Sequence, residues 1–510
     1  MTAVSSLWRL IRTGATFERT GAMREALETL DVPPALRVAA RVIGRPFAWL
    51  GLKGDESLPP VVRALSALGP AYIKFGQVLS TRPDVVGPVM AQDLRVLQDK
   101  LPPFDEAEAR AEVLRELGAP VEELFSEFSP PIAAASIAQV HRAVMRDDGR
   151  AVAVKILRPG IERAFRRDVD AFFFAARMVE LLSPSSRRLR PTAVIEHFSS
   201  VVRGELDLRM EASAAGEFRA NTAEDPGFRV PEVIWPLSAR RVLTTEWVSG
   251  TAMGDVPALT AEGQDMKGLA ASVVQTFLHH ALRDGFFHGD MHQGNLKVGP
   301  GGEIIALDFG IMGRIDAYTR RVYAEILMGF LKKDYRRVAE VHFEAGYVPA
   351  DRDVSEFAQA LRSIGEPIFG QDSSRISMGR LLAHLFDVTE RFGMETQTQL
   401  ILLQRTMVVV EGVGRSLDPN MNMWEVARPV VESYIRDNLG PKAVLRDLAG
   451  TARILSRFGP LLPQMAEELL IRTNRDMRPV EAKPLVPVWI WTVGGVVVGA
   501  VAGAAVAAAF

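Results

Sequence analysis

The chain has 510 residues, 48% of them hydrophobic and 24% charged, with a net charge of −2. That length allows two to four domains at about 100–200 residues each, and the balanced charge excludes a general nucleic-acid binder, which carries a strongly basic domain. There is no cysteine, which excludes disulfides, thiolate catalysis and cysteine-ligated metals and suits a cytosolic setting.

The N-terminal stretch MTAVSSLWRLIRTGATFERTG lacks the apolar core and small-residue cleavage site of a signal peptide. Trp8, Leu10, Ile11 and Phe17 alternate with Arg9, Arg12 and Arg19, the pattern of a short basic amphipathic helix. Such a helix suits an anionic membrane surface or docking on its own domain. Residues 20–125 read as mostly helical, with breaks at Pro33-Pro34, Pro59-Pro60 and Pro102-Pro103. Among them, LGPAYIKFGQVLSTRPDVV places Lys74 and Gln77 on one helical face.

Four runs rich in β-branched or aromatic residues, 131–144, 151–160, 229–237 and 240–250, read as strands. Helical periodicity occupies 192–221 between them, and from Lys267 to residue 440 the pattern is again helical, broken at 284–313. The Met-containing helix around 403–413 is expected to be core. Gln139 and His141 are expected to face solvent and the loop sheet. Leu485–Phe510 carries no charge and is long enough to cross a hydrocarbon core of about 30 Å. Trp489 and Trp491 stand near its entry, while Arg472, Arg475, Arg478 and Lys483 precede it, which places the large domain on the cytoplasmic side. Gly495, Gly499 and Gly503 repeat at the spacing that lets membrane helices pair, so a homodimer through this helix is one expectation.

The irregular stretch DGFFHGDMHQGNLKVGPGGEIIALDFGIMGR carries the chemistry. Asp290 is followed by Asn295 and, after a strand–turn–strand whose turn is Gly299-Pro300-Gly301-Gly302, by Asp308-Phe309-Gly310. The hairpin brings Asn295 and Asp308 together as hard oxygen ligands for Mg²⁺, with Asp290 beyond them to orient or deprotonate a nucleophile. H-x-D-x-x-x-x-N followed by D-F-G, with V-A-V-K upstream, is the layout of a phosphoryl-transfer site. Lys155 would neutralise the phosphates of ATP or ADP, with Glu205 or Glu211 holding it in place. Both glutamates lie more than forty residues beyond Lys155, so a segment is inserted there. Ala133, Ala134, Ala135 and Ser136 occupy the turn where such a lobe carries a glycine-rich phosphate loop. Alanine penalises the left-handed conformations that glycine allows, so this loop is expected to be stiff and to disfavour phosphoryl transfer to a protein. His288 and His292 beside two aspartates suggest zinc as a second reading; the phosphoryl-transfer reading instead makes His288 a brace of the catalytic loop.

Several motifs together resemble the UbiB family, also called ADCK or aarF-domain kinase-like proteins. Lys74-Phe75-Gly76-Gln77 resembles its K-x-G-Q motif, Ala133–Ser136 its alanine-rich loop, Glu205-Leu206-Asp207 its E-x-D motif, and HGDMHQGN its catalytic loop. The resemblance covers residues 60–315. Gln293 departs from it, since members usually carry proline there, and bacterial members often have two membrane helices where this sequence has room for one.

The resemblance implies an α+β, protein-kinase-like bilobal fold with an N-terminal helical extension (1–125), an N-lobe (126–250) and a helical C-lobe (251–440). A helical juxtamembrane segment (441–484) and a C-terminal transmembrane anchor (485–510) follow. It further implies a membrane-bound atypical ATPase that supports ubiquinone biosynthesis in the bacterial inner membrane, with adenine nucleotide and Mg²⁺ as ligands. Membrane lipids, ubiquinone precursors and other enzymes of that pathway would be its partners. By analogy Lys74 pairs with Glu205 or Asp207, and Glu211, or alternatively Glu205, with Lys155; Gln77 is assigned by its motif alone. The backbone of Glu246-Trp247-Val248 would bind adenine. Two other functions compete with the ATPase. A kinase for a small molecule or protein is disfavoured for proteins by helices over the substrate groove and by the short path from Asp308 into helix. An inactive nucleotide-gated scaffold is disfavoured because Lys155, Asp290, Asn295 and Asp308 are all present.

Overall fold

The computed structural model describes residues 3–29, 45–80, 86–94, 96–97, 103–182, 191–369, 388, 391–394 and 398–439. The expected juxtamembrane segment and anchor, 441–510, lie outside the described residues, and among the described residues no helix is long and apolar enough to cross a membrane. The described residues as far as Arg436 form one compact unit.

The extension consists of α1 (Ala3–Thr20), α2 (Ala22–Thr29), a 3₁₀ turn (Arg45–Leu50), α3 (Pro60–Leu68), α4 (Pro70–Ser80) and α5 (Pro88–Leu94). Pro60 and Pro70 open α3 and α4, where a missing N–H costs nothing. These helices bury Leu65, Ile73 and Leu94 in one core with Phe165 and Phe198 from beyond the lysine strand. Tyr72 and Phe75 meet Phe172 ring to ring at 4.8 and 4.9 Å, contacts worth about 0.5–1.5 kcal/mol each beyond their buried area. Gly76 permits this closeness: a Cβ there would lie 2.3 Å from Leu97 Cδ1 and 2.7 Å from Leu65 Cδ1.

After α6 (Glu106–Leu117), capped by Asp105, the strands β1 (Phe125–Ala134), β2 (Ala138–Met145), β3 (Ala151–Leu157) and β5 (Val242–Glu246) form an antiparallel sheet in the order β1-β2-β3-β5. In β3 the pleat sends Val152, Val154 and Ile156 into a core with Phe125 and Ala143, which puts Lys155 on the opposite face. Gln139 and His141 are buried, contrary to the sequence expectation. Gln139 Oε1 accepts from Phe104 N–H at 3.0 Å, its amide contacts His141 Nε2 at 3.0 Å, and His141 Nδ1–H donates to Ser129 O at 2.8 Å. Each polar atom thus recovers indoors the bond it would make to water.

The insertion after β3 is α7 (Ile161–Leu182) and α8 (Pro191–Glu205), followed by α9 (Leu208–Asn221). The continuous helix expected over 192–221 is broken at Asp207, which is extended and caps α9 by accepting from Arg209 N–H. Arg241 at the head of β5 ties the lobe to its surroundings: Nε donates to Glu112 of α6 at 2.6 Å, another nitrogen to Glu162 of α7, and a third to Arg158 O at 3.0 Å. The run 229–237 yields only β4 (Phe228–Arg229), one bridge at Val233 and a 3₁₀ turn, since Pro231 and Pro236 cannot donate to a ladder.

The C-lobe begins with β6 (Thr251–Ala252), α10 (Val256–Ala261) and α11 (Met266–His279). There follow β7 (Phe286–His288), β8 (Leu296–Val298), β9 (Ile304–Ala306) and β10 (Met312–Arg314). The helices α12 (Ala317–Leu331), α13 (Tyr335–Glu344), α14 (Val354–Phe369), α15 (Thr398–Leu417) and α16 (Met423–Leu439) complete it. Phe277, Leu278, Leu403 and Val410 share the core that packs α11 on α15, as expected for the Met-containing helix.

Candidate active site

Lys155 Nζ lies 2.8 and 2.9 Å from the two Glu211 oxygens and 3.2 Å from Asp308 Oδ2. The break at Asp207 makes this possible by putting Glu211 in the first turn of α9, facing β3. One ammonium therefore serves two carboxylates. Burial opposes the Lys155 charge, but Asp308 and Glu211 together hold its pKa above the ordinary lysine value. Partial desolvation by its neighbours likewise works against the half-exposed Asp308 carboxylate, yet Lys155 and the Gly310 N–H at 3.2 Å outweigh it and hold the carboxyl well below the usual carboxylate range. Burial pushes Glu211 up to about 7 against the pull of Lys155, with Asp308 adding to the rise. A cluster with more carboxylate than ammonium takes up its proton where hydration is poorest, and Glu211 is 10% exposed while Asp308 is 49% exposed.

Asp308 has φ +55°, one of two non-glycine residues in the left-handed region among the described residues. There its Oδ1 accepts from Gly310 N–H, an Asx-type contact that offsets part of the conformational cost. The β8–β9 hairpin pairs Leu296 with Ala306, and Leu307 N–H donates to Asn295 O at 2.8 Å, which places Asn295 and Asp308 at the same open end of the hairpin. Asn295 Nδ2 donates to Asp290 O at 3.0 Å, which leaves Oδ1 as the atom the side chain offers. Asp308 and Asn295 thus present carboxylate and amide oxygens, a donor set that fits Mg²⁺ shared with nucleotide phosphates. His288 is fully buried; its Nε2–H donates to Leu307 O at 3.1 Å and its Nδ1 accepts from Asp290 N–H at 3.0 Å. Burial lowers its pKa, so the ring is neutral. With both nitrogens engaged it braces the loop, and the zinc reading fails on that geometry.

Lys74 of α4 meets Glu205 Oε2 at 3.0 Å, with both side chains nearly buried. In this geometry Glu205 faces Lys74 and Glu211 faces Lys155. The Glu205 charge reaches far enough to help raise Glu211. Asp207 caps α9 and holds the Arg209 guanidinium at 2.6 and 2.9 Å. Gln77 donates to Leu97 O at 3.3 Å, a contact inside the extension.

The alanine turn needs no left-handed residue. β1 runs on to Ala134, opposite Gln139, and Ala135 N–H donates to Ala138 O at 2.8 Å, closing a tight turn. Ser136 is buried, and Ile137 packs against both the extension core and the C-lobe core. At the hinge, Glu246 N–H donates to Glu232 O at 2.8 Å and Trp247 N–H to Ala151 O at 3.0 Å; neither bond uses the Glu246 carbonyl or the Val248 N–H. Arg142 of β2 and Lys297 of β8 each stand 5.7 Å from the Trp247 ring, one cation from each lobe. Sequence reasoning missed both cations, since neither stands in a motif. It also missed Thr406, a residue of α15 that contacts Gly289.

Residues 96–342 match the ABC1 atypical kinase-like domain and residues 361–422 the UbiB helical domain. A Marinobacter nauticus protein named "Probable protein kinase UbiB" is 40% identical over 425 residues, 82% of this chain and 77% of its own length. A protein of the same name from Aeromonas salmonicida is 41% identical over 445 residues, covering 86% and 82%. Among solved structures, the Mycobacterium tuberculosis protein Rv3197 in complex with erythromycin matches with a TM-score of 0.51 and 25% identity, covering 78% of this chain and 98% of its own.

Proposed function

The chain belongs to the UbiB family of ABC1 atypical kinase-like proteins, and from that premise we propose that it hydrolyses Mg-ATP in support of ubiquinone biosynthesis. The observation that carries this reading is the Lys155–Glu211–Asp308 cluster facing the Asp290–Asn295 loop. Lys155 grips the α- and β-phosphates while Glu211 fixes its position. Asp308 and Asn295 would hold Mg²⁺, which when bound would neutralise developing charge on the phosphates. The Glu246 carbonyl and Val248 N–H bind the adenine edge. Asp290 orients the attacking water. His288 holds the backbone of Asp290, and the tight alanine turn covers the nucleotide without following the γ-phosphate.

A water acceptor is favoured over a protein substrate by two features. Asp308 is followed within a few residues by β10 and α12, which leaves no long segment to seat a peptide. The extension packs its core against α7 and α8 and reaches the alanine turn through Ile137. The uncharged Leu485–Phe510 segment and the arginines before it support a single-pass inner-membrane anchor with the catalytic domain in the cytoplasm. Membrane lipids or ubiquinone precursors would then lie within reach.

The test is hydrolysis by the purified full chain with lipid or detergent. Asp308→Asn should lower the Mg-ATP rate by about 100-fold; an unchanged rate rejects the metal assignment. A phosphorylated small molecule or protein found by mass spectrometry would convert the reading to a kinase. Normal ubiquinone in a deletion strain would reject the pathway.

A further inference from the structure

The catalytic loop is held from behind by α15, a helix within the segment that matches the UbiB helical domain. Thr406 is fully buried on it, and its hydroxyl lies 2.9 Å from Gly289 O and 2.8 Å from Leu402 O. Gly289 is the residue between His288 and Asp290. A Cβ on it would lie 3.0 Å from Ile311 Cγ2 and 3.3 Å from Leu402 Cδ1, so this backbone is pressed between α15 and the segment after Asp308. On the far side of Asp290, Gln293 Nε2 donates to Ser416 Oγ at 2.6 Å, and Ser416 Oγ donates to Val413 O at 2.6 Å. Residues 406 and 416 are about 15 Å apart along the helix, so two separated points on one rigid rod bracket Asp290.

We infer that α15 is a splint for the catalytic loop, with Thr406 and Ser416 as positioning residues for the Asp290 carboxylate. The Asp290 side chain is 29% exposed and only loosely met, by His292 Nε2 at 3.6 Å, so its position is set by the backbone that carries it. Thr406 fixes that backbone on one side, through the Gly289 carbonyl. The Gln293–Ser416 bond fixes it on the other. Misplacing a reacting group by about 1 Å costs about 100-fold in rate, so the splint acts on turnover and leaves nucleotide affinity alone.

The inference rests on the role proposed for Asp290, so two readings are taken on the full chain in detergent. These are ATP hydrolysis and hydrogen exchange of the loop amides 289–295. Thr406→Val, which keeps shape and removes the hydroxyl, should lower kcat about 10- to 100-fold with KM for Mg-ATP within about twofold. It should speed loop exchange while β1–β3 keep theirs, and Thr406→Ser should restore both. Ser416→Ala should show the same pattern more weakly, and it decides the matter if Thr406→Val does not fold. Wild-type kcat and loop protection in Thr406→Val would overturn the inference. So would equal losses in the valine and serine variants, or exchange that rises throughout both lobes. A wild-type chain that hydrolyses no ATP would refute the proposed function instead, and loop exchange alone would then judge the splint.

Discussion

Replacing Lys74 by methionine keeps the aliphatic stem and removes the ammonium that stands 3.0 Å from Glu205 Oε2. The two side chains are 12% and 10% exposed, so neither ion is hydrated as a surface ion would be. At that separation the attraction is about 5.5 kcal/mol for an effective dielectric constant of about 20, and in the intact pair most of it offsets the desolvation of both charges. Removing one partner of a buried pair costs about 3–5 kcal/mol as a rule, an upper bound here because Lys74 and Glu205 each have further contacts. Local opening of α4 and α8 should therefore accelerate, with amide exchange faster in both helices by up to about 10²- to 4 × 10³-fold. The double replacement Lys74→Met with Glu205→Leu removes both ions and should return exchange to within about tenfold of the original. An acceleration below about tenfold in the single variant, or a double variant worse than either single, would refute the claim that this pair is a desolvated unit.

Glu211 gives a pH prediction. Its carboxyl is raised to about 7 from 4.5, so the folded chain holds a proton that the unfolded chain releases. That contribution to stability is full below pH 4.5 and is lost as pH rises through 7, by at most about 3 kcal/mol. Asp308, with its lowered pKa, acts in the opposite sense but below pH 4. Buried neutral His141, His288 and His342 also oppose it within part of the same window. The quantity to measure is therefore the difference in thermal midpoint between wild type and Glu211→Gln from pH 4.5 to 7.5, and a difference independent of pH rejects the raised carboxyl. Gly76→Ala should cost about 1–3 kcal/mol by overpacking against Leu97 and Leu65; an unchanged thermal midpoint would contradict the close approach of α4 to its neighbours.

The residues whose chemistry depends on local geometry were legible in the sequence. Pleat alternation alone aims Lys155 away from the core, and a two-strand hairpin alone brings Asn295 to Asp308. Choices that depend on distant segments were not legible. Helical periodicity runs through residues 192–221 without marking the break at Asp207, yet that break decides which glutamate each lysine receives. Gln139 and His141 read as surface residues because their satisfying partners, Phe104 N–H and Ser129 O, belong to other segments. Thr406 carries no motif and lies in a helix whose pattern speaks only of packing.

The break at Asp207 has a consequence for how this protein can vary. Glu205 is the last residue of α8 and is met by a lysine from the N-terminal extension; Glu211, just past the break, is met by a lysine from the sheet. Adding or deleting one residue within the helical part, Leu208–Met210, turns Glu211 about the α9 axis by about 100° and shifts it by about 1.5 Å relative to what precedes it, so one glutamate would keep its partner while the other swung away. Substitutions along Leu206–Met210 leave that spacing alone. Across descendants of this sequence, the length of the interval should therefore be inherited more strictly than the letters within it.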